Sequence, residues 1–259
     1  MRITHISDTH NKHKQLDGKL PGGALLIHSG DISSLGRKHE VESFIKWFDK
    51  QDYGHKVFIA GNHDMTFDRE RLLRDKLAHF EGRTEYDTEC AEGKPDWLKD
   101  TLDNLPDGMY YLENSSIKLE GINIWGSPIS PTFGYGWAFN KDRGNEINEV
   151  WNGIPDDTDI VITHSPIYGY CDRAQNTNQN VGCADLYHRL HEVKPHLHFA
   201  GHIHEAYGWG TIPYKDEWGD IYTFNGCSCN LRYEVFNEPI TFDYNFTTRE
   251  LNFIHEEQK

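Results

Sequence analysis

Residues 56–64 read KVFIAGNHD: an apolar run, Lys56–Ala60, passes without a break into Gly61-Asn62-His63-Asp64. A run this short, carrying β-branched Val57 and Ile59, reads as a β-strand rather than a helix. The same arrangement, a strand followed at once by a polar cluster, occurs four more times. Arg2–Ile6 precedes Asp8-Thr9-His10, and Ala24–His28 precedes Gly30-Asp31. Asp159–Thr163 leads into His164, and Leu197–Ala200 into Gly201-His202-Ile203-His204. Ile122–Trp125 is a further strand. In open α/β sheets ligands bind beyond the carboxyl ends of strands. The five clusters are therefore expected to meet at one edge of the fold, although Asp8 and His204 stand far apart in the chain.

Helical patterns fill the intervals. Val41, Phe44, Ile45 and Phe48 repeat at the spacing of one helical face. Leu72, Leu73, Leu77 and Phe80 do so less regularly; Trp97, Leu98, Thr101, Leu102 and Leu105 form another stripe, and Leu186, Leu190 and Val193 a fourth. These stripes are core packing. From Tyr110 onward the style changes: Tyr110–Leu112, Ile117–Leu119 and Ile122–Trp125 are short strands between polar turns, with Glu120-Gly121 a tight connection. Ile221–Phe224 and Ile240–Tyr244 repeat that style. Mixed parallel and antiparallel strands predict an α/β fold with two sheets rather than one doubly wound sheet. With no repeat and no long linker, a single domain over residues 1–259 is expected.

Composition narrows the function. Hydrophobic residues at 37% and aromatics at 13% supply a core, which excludes a disordered chain. No stretch approaches the roughly 20 apolar residues of a membrane span, and Met1–Asp8 lacks the pattern of a secretory signal; a cytoplasmic protein is expected. Against 26 Lys+Arg stand 41 Asp+Glu, a formal charge of -15 that disfavours membranes and long nucleic acid as partners. A chain of this sign that handles phosphate must concentrate positive charge locally, for instance as bound metal. The five cysteines form no CxxC framework, so neither a disulfide scaffold nor a zinc finger is indicated.

Within the clusters, Asp8 and His10 are two residues apart, as are His202 and His204. In extended backbone such pairs face one side, so each would present two groups to one site. Gly30, Gly61 and Gly201 stand just before the polar residues, where a sharp turn or close backbone approach needs them. Mixed oxygen and imidazole donors suit Mn²⁺, Fe, Zn²⁺ or Co²⁺ better than copper(I) or an iron–sulfur cluster; Mn²⁺ is the expected ion, with Fe, Zn²⁺, Co²⁺ or Mg²⁺ as alternatives. The number of donors exceeds the four ligands of one tetrahedral zinc and matches two divalent ions ~3.5–4 Å apart that clamp the attacking and leaving oxygens of phosphoryl hydrolysis. Two such ions against Asp8, Asp31 and a bridging hydroxide leave about +1 in the pocket.

The ordered series DTH, GD, GNHD, H and GHIH resembles that of the calcineurin-like metallophosphoesterases. That resemblance implies a four-layer α/β-β/α sandwich. It implies one ion held by Asp8, His10, Asp31 and His204, and a second held by Asp31, Asn62, His164 and His202, with Asp31 shared. His63 would reach the substrate phosphate or leaving group, and Asp64 would orient it or stabilise its charge from behind. GNHDMTFD, WNGIPDDTDIVITHSPIYGY, VGCADL, KPHLHFAGHIHEAYG and NEPITFD are similar to segments of the metallophosphoesterase-domain-containing (MPPED) proteins, whose animal members are class III cyclic-nucleotide phosphodiesterase-like enzymes. Some of those members carry glycine where His202 stands, and their metal site is weaker. Retention of His202 implies two occupied metal sites and stronger catalysis than in those members, and the resemblance implies hydrolysis of small phosphodiesters such as cyclic nucleotides by a hydroxide bridging the ions.

Other readings fit less well. An exonuclease of the same superfamily is disfavoured by the acidic balance, the short chain and the lack of a basic groove or capping domain; a phosphomonoesterase or nucleotidase stands as an alternative; and a Ser/Thr phosphatase lacks its Asp-Arg-Gly after Gly30-Asp31. A catalytically inactive scaffold of this fold would have lost ligands that this chain keeps. His5, His28, His196 and His198 lie in strands and read as packed core histidines, His188 and His191 as a solvated helix face, and Cys227 and Cys229 as small residues near the site. The aromatic stretch Phe133–Phe139 and the loop Tyr168–Gly182 are candidates to line the pocket, with Arg143 and Arg173 as candidate phosphate contacts.

Overall fold

Alternation along each strand builds the protein in layers. In the computed structural model, which describes residues 1–69, 71, 96–213 and 219–254, strands β1 (Arg2–Ile6), β2 (Gly23–Ser29), β3 (Tyr53–Ile59) and β4 (Met109–Tyr111) lie side by side and parallel. The chain then crosses to a second sheet through the hairpin β5 (Ser115–Leu119) and β6 (Ile122–Ser127), whose Glu120-Gly121 turn has both φ angles positive. Two short ladders follow in the loops, β7 (Ser130–Pro131) with β8 (Asn140–Lys141), and, after β9 (Ile160–Thr163), β10 (Arg173–Ala174) with β11 (Gln179–Asn180). The remaining strands are β12 (Leu197–Ala200), β13 (Gly208–Ile212), β14 (Ile221–Asn225), β15 (Ile240–Tyr244) and β16 (Leu251–Phe253). The first sheet runs β16-β15-β1-β2-β3-β4 and the second β13-β14-β12-β9-β6-β5, each mixed.

Odd and even side chains part company as the pleat demands. Leu25, Ile27, Val57 and Ile59 of the first sheet meet Ile160, Ile162, Leu197 and Phe199 of the second in one apolar layer. Their neighbours Leu26, Phe58 and Val161 face outward beneath helices. Helix α1 (Lys38–Asp49) covers the first sheet, with Phe44 5.5 Å from Phe58 between ring centroids. Helix α2 (Asp96–Asp103) contributes buried Leu98, and Leu105 lies beyond its end. Helices α3 (Asn145–Trp151) and α4 (Ala184–Val193) cover the second sheet, where Trp151 packs 6.2 Å from Trp125. Helix-sheet-sheet-helix is the expected sandwich. The stripe Leu72, Leu73, Leu77 and Phe80 lies outside the described residues.

Two strands take places that the residues alone left open. Tyr110 belongs to β4, parallel to β3 in the first sheet, rather than to the β5–β6 hairpin, because its backbone finds partners at Val57 and Phe58. Ile221–Asn225, as β14, pairs parallel with β12 and antiparallel with β13. Its carboxyl end therefore opens on the same edge as those of β12 and β9. Among the described residues, no helix is long and apolar enough to cross a membrane.

Several histidines are walled into this frame. His5 Nε2 lies 2.8 Å from Ser29 Oγ, and His28 Nε2 3.0 Å from Thr9 Oγ1. His198 is held at 2.8 Å on both nitrogens, by Thr163 and Thr223. Burial pushes His28 and His198 down to about 3. Unfolded, these rings titrate near ~6.5. Below that pH the unfolded chain binds protons that the folded chain refuses. Their contribution to stability is thus complete above about pH 6.5 and declines as pH falls toward 3, by ~1.4 kcal/mol per pH unit for each ring. Thermal unfolding of chelator-treated protein should show a midpoint that drops steadily from pH 7 to 4.5. A flat midpoint across that range would contradict the arrangement.

Candidate metal centre

The five clusters do meet. Asp8 and His10 follow β1, Asp31 follows β2, Asn62 and His63 follow β3, His164 follows β9, and His202 and His204 follow β12. The central strands are parallel in each sheet, so their carboxyl ends, and the loops leaving them, open on one edge. The loops are not extended, however. Asp8, His10, Asp31 and His202 have φ of 50°, 41°, 56° and 68°. Left-handed backbone, at ~1–2 kcal/mol for each non-glycine residue, replaces the expected i, i+2 extended presentation. It turns the chain sharply at each strand end so that side chains from distant loops aim at one point. Thr9, between Asp8 and His10, points away to His28.

The glycines serve close approach. Gly201 is packed so tightly that a methyl group there would strike Ser7 Oγ and Asp8 Oδ2, and one on Gly61 would strike the Asp31 carboxylate. Only Gly30 of the three has positive φ, at 102°.

Three groups of side chains gather their ligand atoms within 4.8 Å: Asp8, His10 and His204; His10, Asp31 and His63; and Asp31, His164 and His202. Asp31 links them, its Oδ2 lying 3.8 Å from His10 Nε2 and 3.4 Å from His164 Nε2. Asn62 Oδ1 is 2.9 Å from His164 Nε2. On the other side His204 Nε2 lies 3.0 Å from His10 Nε2 and 3.3 Å from Asp8 Oδ1.

Proton bookkeeping shows that this arrangement suits a cation. His164 Nδ1 is 2.9 Å from the Ser29 carbonyl and His204 Nδ1 is 2.9 Å from that of Asn230. A carbonyl only accepts, so each Nδ1 carries its proton, and Nε2 turns a lone pair inward once it gives up the second proton that the neighbouring carboxylates favour. Those lone pairs face carboxylate and amide oxygens. Asp8 Oδ1 is buried without a hydrogen-bond partner, whereas Oδ2 accepts from Ser7 Oγ at 2.5 Å, the His202 amide at 2.9 Å and Cys227 Sγ at 3.1 Å. An unpaired buried carboxylate oxygen among inward lone pairs fits a divalent cation.

The electrostatics agree. Burial opposes ionisation of Asp8 and Asp31, yet the histidines beside them, His204 for Asp8 and His164 for Asp31, hold both carboxyls below the ordinary range. Conversely, burial works against charge on His164 and His204, and their carboxylate neighbours still lift each to about 9. Burial depresses His10 to about 4 and His202 to about 3. The carboxylates are set to face positive charge, and the latter two imidazoles to stay neutral.

His63 sits at the rim. Its amide donates to Asp31 Oδ1 at 2.8 Å and its Nδ1 to the Ser34 carbonyl at 2.9 Å, while the side chain joins His10 and Asp31 in one of the three groups. Asp64 does not orient the ring as expected. Its oxygens accept from the amides of Gly61, Ile32 and Ser33 and from Ser33 Oγ, at 2.5 to 3.1 Å. The carboxylate thereby ties the Gly61–Asp64 turn to the Asp31 loop and reaches His63 only indirectly, by fixing the segment whose Ser34 carbonyl holds the imidazole. Burial, and then the Asp31 charge, raise Asp64 to about 7.

Among the candidate pocket residues, Trp137 packs 4.5 Å from the His63 ring, and Phe133 lies 4.6 Å from His202 and stacks on Trp137 at 6.2 Å. Arg143 donates from its guanidinium to the Val181 and Gly182 carbonyls. Arg173 is engaged with Asn178. Cys227 was readable only as a small neighbour; its thiol in fact touches Asp8. The signal was present in Ile221–Phe224 followed by Asn225-Gly226-Cys227, a sixth run-then-cluster whose parallel pairing the residues alone did not reveal.

Comparison with known proteins adds independent support. The model of a family described as calcineurin-like phosphoesterase matches residues 1–206. Metallophosphoesterase domain-containing protein 1 of Homo sapiens is 36% identical over 249 residues, covering 93% of this chain and 70% of that protein. The UPF0046 protein T07D4.2 of Caenorhabditis elegans is 35% identical over 258 residues, 94% of this chain and 60% of its own. Among solved structures, TT1561 of Thermus thermophilus has a TM-score of 0.57 at 12% identity over 97% of both chains. At that identity the likeness concerns the fold alone.

Proposed function

The chain belongs to the calcineurin-like phosphoesterase family, and from that premise we propose that it is a two-metal phosphodiesterase acting on small phosphodiesters, cyclic nucleotides among them. Asp8, His10, Asp31 and His204 would hold one divalent cation and Asp31, Asn62, His164 and His202 the other, with Mn²⁺ the leading candidate. The observation that carries this reading is the buried, unpaired Asp8 Oδ1 among inward-facing imidazole lone pairs, with Asp31 reaching both groups. When bound, the ions supply Lewis acidity and an activated water.

The chain's own groups do the rest. Asp31 accepts from the His63 amide and so fixes the rim histidine relative to the ligand groups. His63 Nδ1 is anchored on Ser34, so its Nε2 is free to stabilise a phosphoryl oxygen or, when protonated, to hand a proton to the departing oxygen. Asp64 keeps the two loops in register. The rings of Phe133 and Trp137 offer flat apolar faces beside His202 and His63 for a planar group on the substrate. A cytoplasmic location and one domain over residues 1–259 complete the proposal; β15 of the C-terminal part pairs with β1.

The test is a panel on Mn²⁺-reconstituted protein: bis-p-nitrophenyl phosphate, p-nitrophenyl phosphate, 2′,3′- and 3′,5′-cyclic nucleotides, and single-stranded DNA. The expected result is turnover of the diester and of at least one cyclic nucleotide, with the monoester and DNA slower. Turnover confined to the monoester would reject the diesterase reading, and metal-loaded protein inert on the whole panel would point to a scaffold.

A further inference from the structure

Beyond β14, the chain folds back over the centre in a turn that no motif of the sequence announced. Asn230 organises it. Its amide donates to the Glu234 carbonyl at 2.9 Å, its carbonyl accepts the Tyr233 amide at 2.8 Å, and its side-chain oxygen accepts the amides of Arg232 and Glu234. The same Asn230 carbonyl anchors His204 Nδ1. The turn that carries Tyr233 is thus bonded to a candidate metal ligand, and its position follows that of the centre.

Tyr233 itself is in an unusual state. Its φ is 58°, a conformation that bulky side chains rarely adopt and that is typical of functional sites when observed. Lys12 Nζ donates to its carbonyl and holds that backbone. The ring stands edge-on to His10 at 4.8 Å, to His204 at 5.2 Å and to His63 at 5.9 Å. It is nevertheless 42% exposed, so it forms a wall at the mouth of the centre rather than part of a core. Its hydroxyl lies 3.5 Å from His63 Nε2. With Nδ1 donating to Ser34, Nε2 of the singly protonated ring is the acceptor and the tyrosine hydroxyl the donor.

We propose that Tyr233 is a further substrate-binding and catalytic residue, whose hydroxyl donates a hydrogen bond to a non-bridging oxygen of the phosphoester bound between it and His63. The hydroxyl keeps its proton throughout and changes only its acceptor, from His63 Nε2 to the phosphoryl oxygen. The ring packing places the hydroxyl in advance, so that little reorganisation is needed as charge develops on phosphorus. This rests on the phosphoesterase reading above and extends it to a residue outside the family's motif series.

The decisive variant is Tyr233→Phe, which keeps the ring, its contacts and its backbone and removes one oxygen. With the protein loaded with Mn²⁺, calorimetric titration of inorganic phosphate should show about tenfold or greater weakening, as expected for loss of a hydrogen bond to a charged group. Turnover of bis-p-nitrophenyl phosphate should fall ~10–100-fold by the same reasoning. Metal content and thermal midpoint should match the parent. Phosphate affinity within twofold of the parent overturns the proposal, whatever the turnover. The parent's own inactivity on every diester would overturn the diesterase reading instead, while phosphate affinity still decides Tyr233.

Discussion

Asp31→Ala is expected to abolish metal retention and turnover together. One oxygen of this carboxylate lies 3.8 Å from His10 Nε2 and 3.4 Å from His164 Nε2, so it serves both groups at once, while the other accepts the His63 amide. Its removal takes a negative charge from between two cation positions and frees the rim histidine. Changes to groups that merely support metal ligands cost ~10–100-fold; loss of a shared ligand should exceed that, with turnover down by at least ~10³-fold. Elemental analysis after gel filtration should find less than one bound ion per chain where the parent holds about two. Asp31→Asn, which keeps the hydrogen bond from His63 but not the charge, should lose metal nearly as badly. Full metal content and near-parent activity in either variant would falsify the assignment of Asp31 as the shared ligand.

His63→Ala should behave in the opposite way, retaining metal and losing chemistry. The imidazole is held by the Ser34 carbonyl and belongs to one of the three groups, that of His10 and Asp31, each of which stands in a second group as well. Its loss leaves the contacts among Asp8, His10, Asp31, Asn62, His164, His202 and His204 intact. A positioned proton donor contributes ~10²–10⁴-fold, and that range is the expected fall in turnover, with metal content unchanged. The loss should be smaller for bis-p-nitrophenyl phosphate, whose leaving group departs without a proton, than for a cyclic nucleotide, whose alkoxide requires one. Equal losses on both substrates would assign His63 to the phosphoryl oxygens alone. Retention of more than a third of parent turnover on the cyclic nucleotide would remove it from the chemistry altogether.

Asp64 occupies the adjacent position, and a different outcome follows from its contacts. Because it accepts three amides and the Ser33 hydroxyl, its role is to hold two loops together. The family resemblance implied an orienting partner for His63; the backbone turn directs the Asp64 carboxylate to the Gly61, Ile32 and Ser33 amides instead. Adjacent residues do not share a direction once the backbone leaves regular structure, and a spacing rule built on extended strands fails for the same reason at Asp8 and His10. Both residues reach the site, but through left-handed turns that only the surrounding contacts hold in place.

What the amino-acid order alone determined is the part that depends on local pattern: short β-branched runs as strands, the α1 and α4 stripes as helices, and polar clusters at strand ends as a set of candidate metal ligands. These follow from period, length and donor chemistry, which are properties of the chain wherever it folds. What tertiary structure alone decided is the pairing of β14 beside β12, which brings Cys227 onto Asp8 and swings Tyr233 across the mouth toward His63. Nothing in the local spacing encodes those contacts. They arise because strand order is set by burial across the whole sheet, and strand order settles which distant loops share an edge.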